Sequence, residues 1–195
     1  SGELSVVEAG ILRRLYGQIL EGRHEGNLTI WKDVIGGNPY KIGVDVAGGL
    51  PKGDYSAASV VNSKHCEYVA RLRGRIPPDL FAEELYFLGK RYNWAEIAVE
   101  KMGHGHTVLR ILLEKNYPNI YMSHDIYDDF TNTTRSEYGW KTNVKTKPMM
   151  INTMRAALRS GDLITHSENL LLEAAGLVWD GASETKIKKA GGNYD

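Results

Sequence analysis

A single cysteine, Cys66, stands in 195 residues, so no intrachain disulfide framework can form and a reducing compartment is expected. No apolar run approaches the ~18 residues of a membrane span. The opening SGELSVVEAG lacks the basic-then-apolar pattern of a secretory signal. Net charge is absent as well: 24 Lys and Arg balance 24 Asp and Glu, so total charge neither requires nor excludes a polyanionic partner. There is no internal repeat, no low-complexity segment and no Gly-x-x-x-x-Gly-Lys-Ser/Thr phosphate loop, which argues against a P-loop motor in this chain. A soluble, intracellular protein is the expectation. With 42% hydrophobic and 25% charged residues, the chain can bury the core of one α/β domain preceded by an N-terminal extension.

Residues 1–38 read as that extension. Val6, Val7, Ile11, Leu15 and Ile19 suit one helix face, Gly22 and Gly26 interrupt it, and Ile35-Gly36-Gly37-Asn38-Pro39 reads as a turn. The helix and tether should trail from a preceding domain, with the domain proper at 39–195. From Tyr40, apolar Tyr40, Ile42, Val44 and Val46 alternate with Lys41, Gly43 and Asp45, which predicts a half-buried strand. Strands near Ser56–Asn62 and Glu67–Arg73, separated by a short turn, predict an antiparallel meander. Pro77-Pro78-Asp79 starts a helix whose apolar positions Phe81, Leu85, Leu88 and Tyr92 recur at helical spacing. Alternation returns at Ala95–Glu100. A helix over His106–Lys115 and a short strand at Asn119–Met122 follow, then a polar loop or hairpin over 123–146, helices over Lys147–Arg159 and Glu168–Leu177, and a hairpin-like tail from Val178. Three strands, helix, strand, helix, strand is the order of an RNase H-like mixed sheet, an α/β fold in which a three-strand antiparallel meander is joined by parallel strands and flanked by helices. A helical crossover between the first and fourth strands would set them side by side and parallel.

Two acids occupy equivalent places in this scheme. Asp45 ends the first strand before the glycine-rich loop Gly48-Gly49-Leu50-Pro51-Lys52-Gly53, and Gly43 leaves room on its face. Glu100 ends the fourth strand, with Ala98 leaving room and Gly103 and Gly105 following. If the strands are neighbours, both carboxylates meet at the carboxyl ends of the sheet, where open α/β sheets bind ligands. Such a pair needs protons or cations between its members, and hard oxygen donors favour Mg²⁺ or Mn²⁺. The plainer alternatives are a loop-capping Asp45 and a strand-end surface Glu100. Asp54 is a metal helper or a turn residue, and Asp195 either a functional carboxylate entered through Gly191-Gly192-Asn193-Tyr194 or part of a polar terminus. His104 and His106 flank Gly105 without any cysteine, which gives poor support to structural zinc; phosphate contact or helix-start polarity suits them better. From Arg135 to Arg159, six basic residues face one acid, Glu137, so this stretch is either a solvated helix face or a phosphate-binding run.

Several of these segments together resemble the nuclease domain of tailed-phage terminase large subunits. Tyr40–Ala47 with Gly53-Asp54-Tyr55-Ser56-Ala57 resembles the opening motif, Tyr92–Glu100 the second, and Gly139-Trp140-Lys141-Thr142 with Thr146-Lys147-Pro148 a later one. Gly191-Gly192-Asn193-Tyr194-Asp195 resembles the start of the third acidic motif, so the likeness spans about residues 31–195 with the motifs in order. It departs at Met102, where relatives often carry Asn. The resemblance implies an RNase H-like endonuclease cutting concatemeric viral DNA during packaging in the host cytoplasm. Asp45, Glu100 and Asp195 would hold two divalent cations, Mg²⁺ or Mn²⁺, with Asp54 nearby. Lys141, Lys145, Lys147 and His104 would contact double-stranded DNA without reading bases. The implied partners are the ATPase domain of the full subunit, the portal protein and the small terminase subunit, with no membrane. Junction resolvases and integrases share the fold and are the chemical rivals, and a non-catalytic DNA- or portal-binding domain is another. An actin-like or sugar-kinase ATPase would need a second Asp-x-Gly strand-loop in a duplicated domain, for which 195 residues leave no space.

Overall fold

The computed structural model describes residues 6–128, 133–179 and 187–189. Their elements are α1 (Ala9–Tyr16), β1 (Arg23–Glu25), β2 (Leu28–Ile30), β3 (Tyr40–Asp45), β4 (Ser56–Asn62), β5 (Glu67–Gly74), α2 (Pro78–Arg91), β6 (Glu96–Val99) and α3 (Gly105–Glu114). After them come β7 (Met122–Asp128), β8 (Thr133–Tyr138), α4 (Thr146–Ser160), β9 (Ile164–Thr165), α5 (Glu168–Ala175), β10 (Leu177–Trp179) and β11 (Ile187–Lys189). The chain divides into two compact units, one formed by Arg23–Lys64 with Val69–Thr142, the other by the described parts of Ser1–Gly22, His65–Tyr68 and Asn143–Asp195.

In the first unit the strands lie in the order β1-β2-β5-β4-β3-β6. β3 runs antiparallel to β4 and parallel to β6. This is the RNase H-like mixed sheet, with the meander and the parallel first and fourth strands that the alternation implied. Apolar alternation decides which face is covered: Tyr40, Ile42 and Val44 are buried in β3, Ala58 and Val60 in β4, Ile97 and Val99 in β6. The same core takes in Phe81, Leu85 and Leu88 of α2 and Val108 and Leu112 of α3. Fully burying side chains of this size stabilises by roughly 1.5–3 kcal/mol each, against the entropy of ordering them. Helix α2 begins on Pro78 at its first turn, with Asp79 near its positive end and Lys90 and Arg91 in its last turn, all favourable for the helix dipole. Its Gly89 lets Tyr117 approach, since a Cβ there would lie 2.1 Å from the Tyr117 hydroxyl. That hydroxyl donates to the Ala95 carbonyl at 2.6 Å.

Two sequence expectations change here. Residues 23–30, read as tether, form β1 and β2, and β2 pairs antiparallel with β5 through Leu28↔Leu72 and Ile30↔Ala70. Their three-residue length hides any alternation. The strand expected at Asn119–Met122 reduces to an Ile97↔Ile120 bridge, and Met122 instead starts the β7–β8 hairpin.

The second unit packs α1, α4 and α5 around Val6, Val7, Leu15, Leu158, Leu171 and Ala174. Arg14 donates to the Leu158 carbonyl at 2.6 Å, satisfying one of the acceptors that the end of α4 leaves open. At the other end of α4 the Asn143 side chain accepts from the N–H groups of Lys145 and Thr146, and the Thr146 hydroxyl accepts from the Asn143 N–H. These reciprocal bonds fix the turn that leads into α4, in the manner of a capping box placed just ahead of the helix. β9 pairs parallel with Glu67 and Tyr68. His166 is buried, one ring nitrogen 2.8 Å from the Gln18 carbonyl and the other 2.7 Å from the Glu67 carboxylate.

Candidate active site

The register of β3 and β6 brings two acids together. Lys41↔Glu96 and Val44↔Val99 are direct parallel partners, and the Glu100 N–H donates to the Val44 carbonyl at 2.8 Å. Asp45 and Glu100 are the next residues on the two strands. They lie on the face opposite the core, the same face on which Lys41 pairs with Glu96. Below them Gly43 sits beside Ala98, and a Cβ added at Gly43 would meet nothing within 4 Å. The floor under the carboxylates is therefore shallow and open.

The electrostatics follow from the placement. Partial burial, then the charge of Glu100, then that of Asp54, hold the Asp45 carboxyl above the ordinary aspartate range, while a bond from the Val46 N–H offsets part of the rise. Desolvation and like charge both favour the proton over the ionised form. Asp54 thus acts on Asp45 through space, from a loop that is tightly laid down. The Ala47 N–H donates to Ser56 Oγ at 2.9 Å, and the Gly53 N–H to the Leu50 carbonyl at 3.0 Å. Gly49 has φ +72°, and a Cβ there would come within 2.5 Å of the Pro77 nitrogen, so both its conformation and its surroundings require glycine.

The loop after β6 closes on the same place. A Cβ on Gly105 would stand 1.9 Å from the Glu100 carbonyl oxygen, so the first turn of α3 rests directly on the strand end that carries Glu100. His104 is exposed, and its Nε2 would lie 3.1 Å from a Cβ on Gly48, which sets the ring over the loop that follows Asp45. Beside β6, on the edge away from β3, the Trp140 N–H donates to the Val99 carbonyl and the Lys101 N–H to the Trp140 carbonyl, at 2.8 and 2.9 Å. Gly139 has φ +88°, and a Cβ there would be 2.7 Å from the Val99 oxygen. The Gly-Trp pair is thus the segment that buttresses Glu100 from the far side.

Sequence reasoning missed Lys101. It is buried and ion-paired with Glu137 of β8, so the residue next to Glu100 ties the hairpin to the strand end. Only the burial of a lysine marks it, and the sequence carries no signal for that. Of the expected DNA-binding residues, Lys141 lies in the first unit, whereas Lys145 and Lys147 are exposed at the start of α4 in the second. Met102 is 54% exposed. Asp195 falls outside the described residues.

Among the described residues no group of three or more His, Cys, Asp or Glu side chains closes to metal-holding geometry. Asp45 and Glu100 nonetheless form a hard, all-oxygen donor pair whose mutual charge, augmented by Asp54, is relieved by a proton or a cation. That donor chemistry fits Mg²⁺ or another hard divalent ion, with water or phosphate oxygens as further ligands.

Comparison with known proteins places this architecture. No family model matches the chain, and no curated protein matches it. Among solved structures, the large terminase nuclease from thermophilic phage G20c with bound magnesium is 16% identical, with 100% of this chain and 92% of that one covered and a TM-score of 0.73. The cobalt-bound form of the same nuclease gives the same values. The Thermus phage P74-26 large terminase nuclease domain is 15% identical, over 91% of this chain and 83% of that one, at a TM-score of 0.63. The class is thereby defined: this is an RNase H-like α/β fold. More narrowly, it is the fold of phage large-terminase nuclease domains.

Proposed function

We propose that this chain is a terminase nuclease, a metal-dependent DNA endonuclease that cuts concatemeric viral DNA during genome packaging in the host cytoplasm. The observation that carries the reading is the pair Asp45 and Glu100, adjacent on parallel strands at the carboxyl edge of a fold shared with a nuclease solved with bound magnesium. In this reading Asp45 and Glu100 hold divalent ions, with Asp54 close by. Asp195 is the third acid of the set, an assignment that rests on the sequence resemblance. A bound divalent ion supplies charge for the phosphate oxygens and an ionised water at neutral pH.

The chain's own part is positioning. Backbone bonds across β3 and β6 set the separation of the two carboxylates, and the close approaches at Gly105 and Gly139 leave the Glu100 backbone nowhere to move. The open face over Gly43 and Ala98 leaves room for a backbone phosphate. His104, above the Asp45 loop, is within the same neighbourhood and suits a phosphate contact. Lys141, Lys145 and Lys147 add sequence-independent attraction for duplex DNA. In this reading the acids of the nuclease all come from the residues after 38, while β1 and β2 extend the sheet that carries them. The ATPase domain, portal and small terminase subunit are its partners in the packaging machine.

Plasmid cleavage tests the proposal. The full chain should nick and linearise plasmid with Mg²⁺ or Mn²⁺ and leave it intact in EDTA, and Asp45→Asn and Glu100→Gln should each abolish cutting without unfolding. Cleavage that persists in both folded variants would refute the site.

A further inference from the structure

A second feature of the same sheet edge has no part in the assignments above. Tyr55, one residue after Asp54, is 37% exposed, and two guanidinium groups lie over its ring, Arg73 at 3.7 Å and Arg75 at 4.1 Å from the ring centre. Arg75 also donates through Nε to the Gly53 carbonyl at 2.8 Å. The Arg73 side chain makes no hydrogen bond or ion pair among the described residues, and neither arginine has a carboxylate partner there.

The topology fixes where this pair stands. β5 and β4 are joined by a short turn and lie side by side, so they run antiparallel, and β4 is antiparallel to β3. β5 therefore runs in the same direction as β3 and β6, and Arg73 and Arg75, at and just beyond its carboxyl end, share the edge occupied by Asp45 and Glu100. Arg73 alternates with Leu72, which belongs to the core, so it faces away from the helices, as Asp45 does. β5 is two strands from β3, a lateral offset of ~10 Å at the usual strand spacing.

Two cations gathered on one neutral ring repel each other, and the ring's attraction for each is modest at an exposed site. An anion between or beside them relieves that repulsion. A guanidinium held over an aromatic ring needs none of its N–H donors for that contact, so Arg73 with all of them and Arg75 with those besides Nε can offer phosphate oxygens a fork of donors. An exposed, doubly cationic platform two strand spacings (~10 Å) from Asp45 and three (~14 Å) from Glu100 suits a polyanion that spans them, and duplex DNA carries phosphates at that scale along its backbone. We propose that Arg73 and Arg75, stacked on Tyr55, form a phosphate clamp that grips the DNA backbone a nucleotide or two from the bond presented to Asp45 and Glu100. The proposal rests on the nuclease reading of that site. It adds the residues that seat the substrate beside it.

The experiment measures duplex DNA binding by fluorescence anisotropy across a salt series, in Ca²⁺ or EDTA to prevent cutting, with plasmid cleavage by the same preparations. Arg73→Gln/Arg75→Gln should weaken binding at least tenfold at low salt, equally for unrelated sequences. The slope of log K against log salt should fall by about 0.9 for each phosphate that the variant no longer neutralises. Arg73→Gln alone removes no hydrogen bond, only the contact with the Tyr55 ring, and should lower both quantities by a smaller step while moving the melting temperature by no more than about 2–4 °C. It decides the matter if the double variant misfolds. Tyr55→Leu should weaken binding and Tyr55→Phe should not. If the wild-type chain neither binds nor cuts duplex DNA, the nuclease reading and the clamp fall together. If the wild type cuts DNA while Arg73→Gln keeps wild-type affinity and salt slope, the clamp alone is overturned and the platform faces an acidic protein surface instead.

Discussion

Asp45→Asn should make the metal-free protein more stable while removing its activity. The two strand-end acids sit on neighbouring parallel strands, so their carboxylates are roughly 5 Å apart at the usual strand spacing. Coulomb repulsion at that distance is about 3 kcal/mol for an effective dielectric of 20 and about 0.8 kcal/mol in bulk water. Asp45 keeps one side open to solvent, so the lower end applies, about 1 kcal/mol. Asparagine keeps the shape and can still accept from the Val46 N–H, so little else changes. For a chain of this size the gain is a rise in melting temperature of about 2–4 °C in EDTA at neutral pH.

The pH dependence carries a definite sign. The folded-state affinity of Asp45 for its proton is raised, by burial first and by Glu100 and Asp54 after that. Stability from that proton is present below the unfolded value and is lost as pH rises through the raised folded value. The difference between variant and wild type should therefore be largest at neutral pH and shrink as pH falls through that value. Millimolar Mg²⁺ should raise the wild-type melting temperature and leave the variant's nearly unchanged, because ligand binding stabilises only the state that holds it. Differential scanning calorimetry reads all three quantities. A variant that melts below the wild type in EDTA would refute the reasoning, since Asp45 would then be making a favourable interaction rather than a repulsive one.

Other outcomes follow from single side chains. Gly105→Ala forces a Cβ into the Glu100 carbonyl, so the strand end or the helix must shift; a loss of about 2–4 kcal/mol in urea unfolding is expected, with cleavage reduced even where the variant folds. A wild-type urea midpoint would show that the approach is not tight. His166→Ala leaves the Gln18 carbonyl and the half-shielded Glu67 carboxylate without their shared partner and should cost about 1–3 kcal/mol, whereas an unchanged midpoint would deny His166 any role in holding its unit together. Replacing Lys141, Lys145 and Lys147 by alanine should weaken DNA binding alike across sequences and flatten its salt dependence, and a changed sequence preference with an unaltered slope would contradict that.

Much of the first unit was legible because its signals are local. Alternation from Tyr40 to Asp45 and from Glu96 to Val99 is a property of six or fewer consecutive residues, and it determined both strands and which face carries Asp45 and Glu100. Pro78 and the helical recurrence of Phe81, Leu85 and Leu88 determined α2 in the same way. β1 and β2 were not legible, since three residues carry no period and the pairing of β2 with β5 depends on residues about forty positions away. Register between β3 and β6, which turns two strand-end acids into a pair, is a long-range choice made by the whole core. The same holds for Lys101 with Glu137, for the second core joining Val6 and Leu15 to Leu158 and Leu171, and for the two arginines over Tyr55. Residue type and spacing determine what a segment can bury and what chemistry it can offer. Which charges meet, and which are left facing solvent, is decided only when the strands take their order, because electrostatic energy depends on distances in space rather than along the chain.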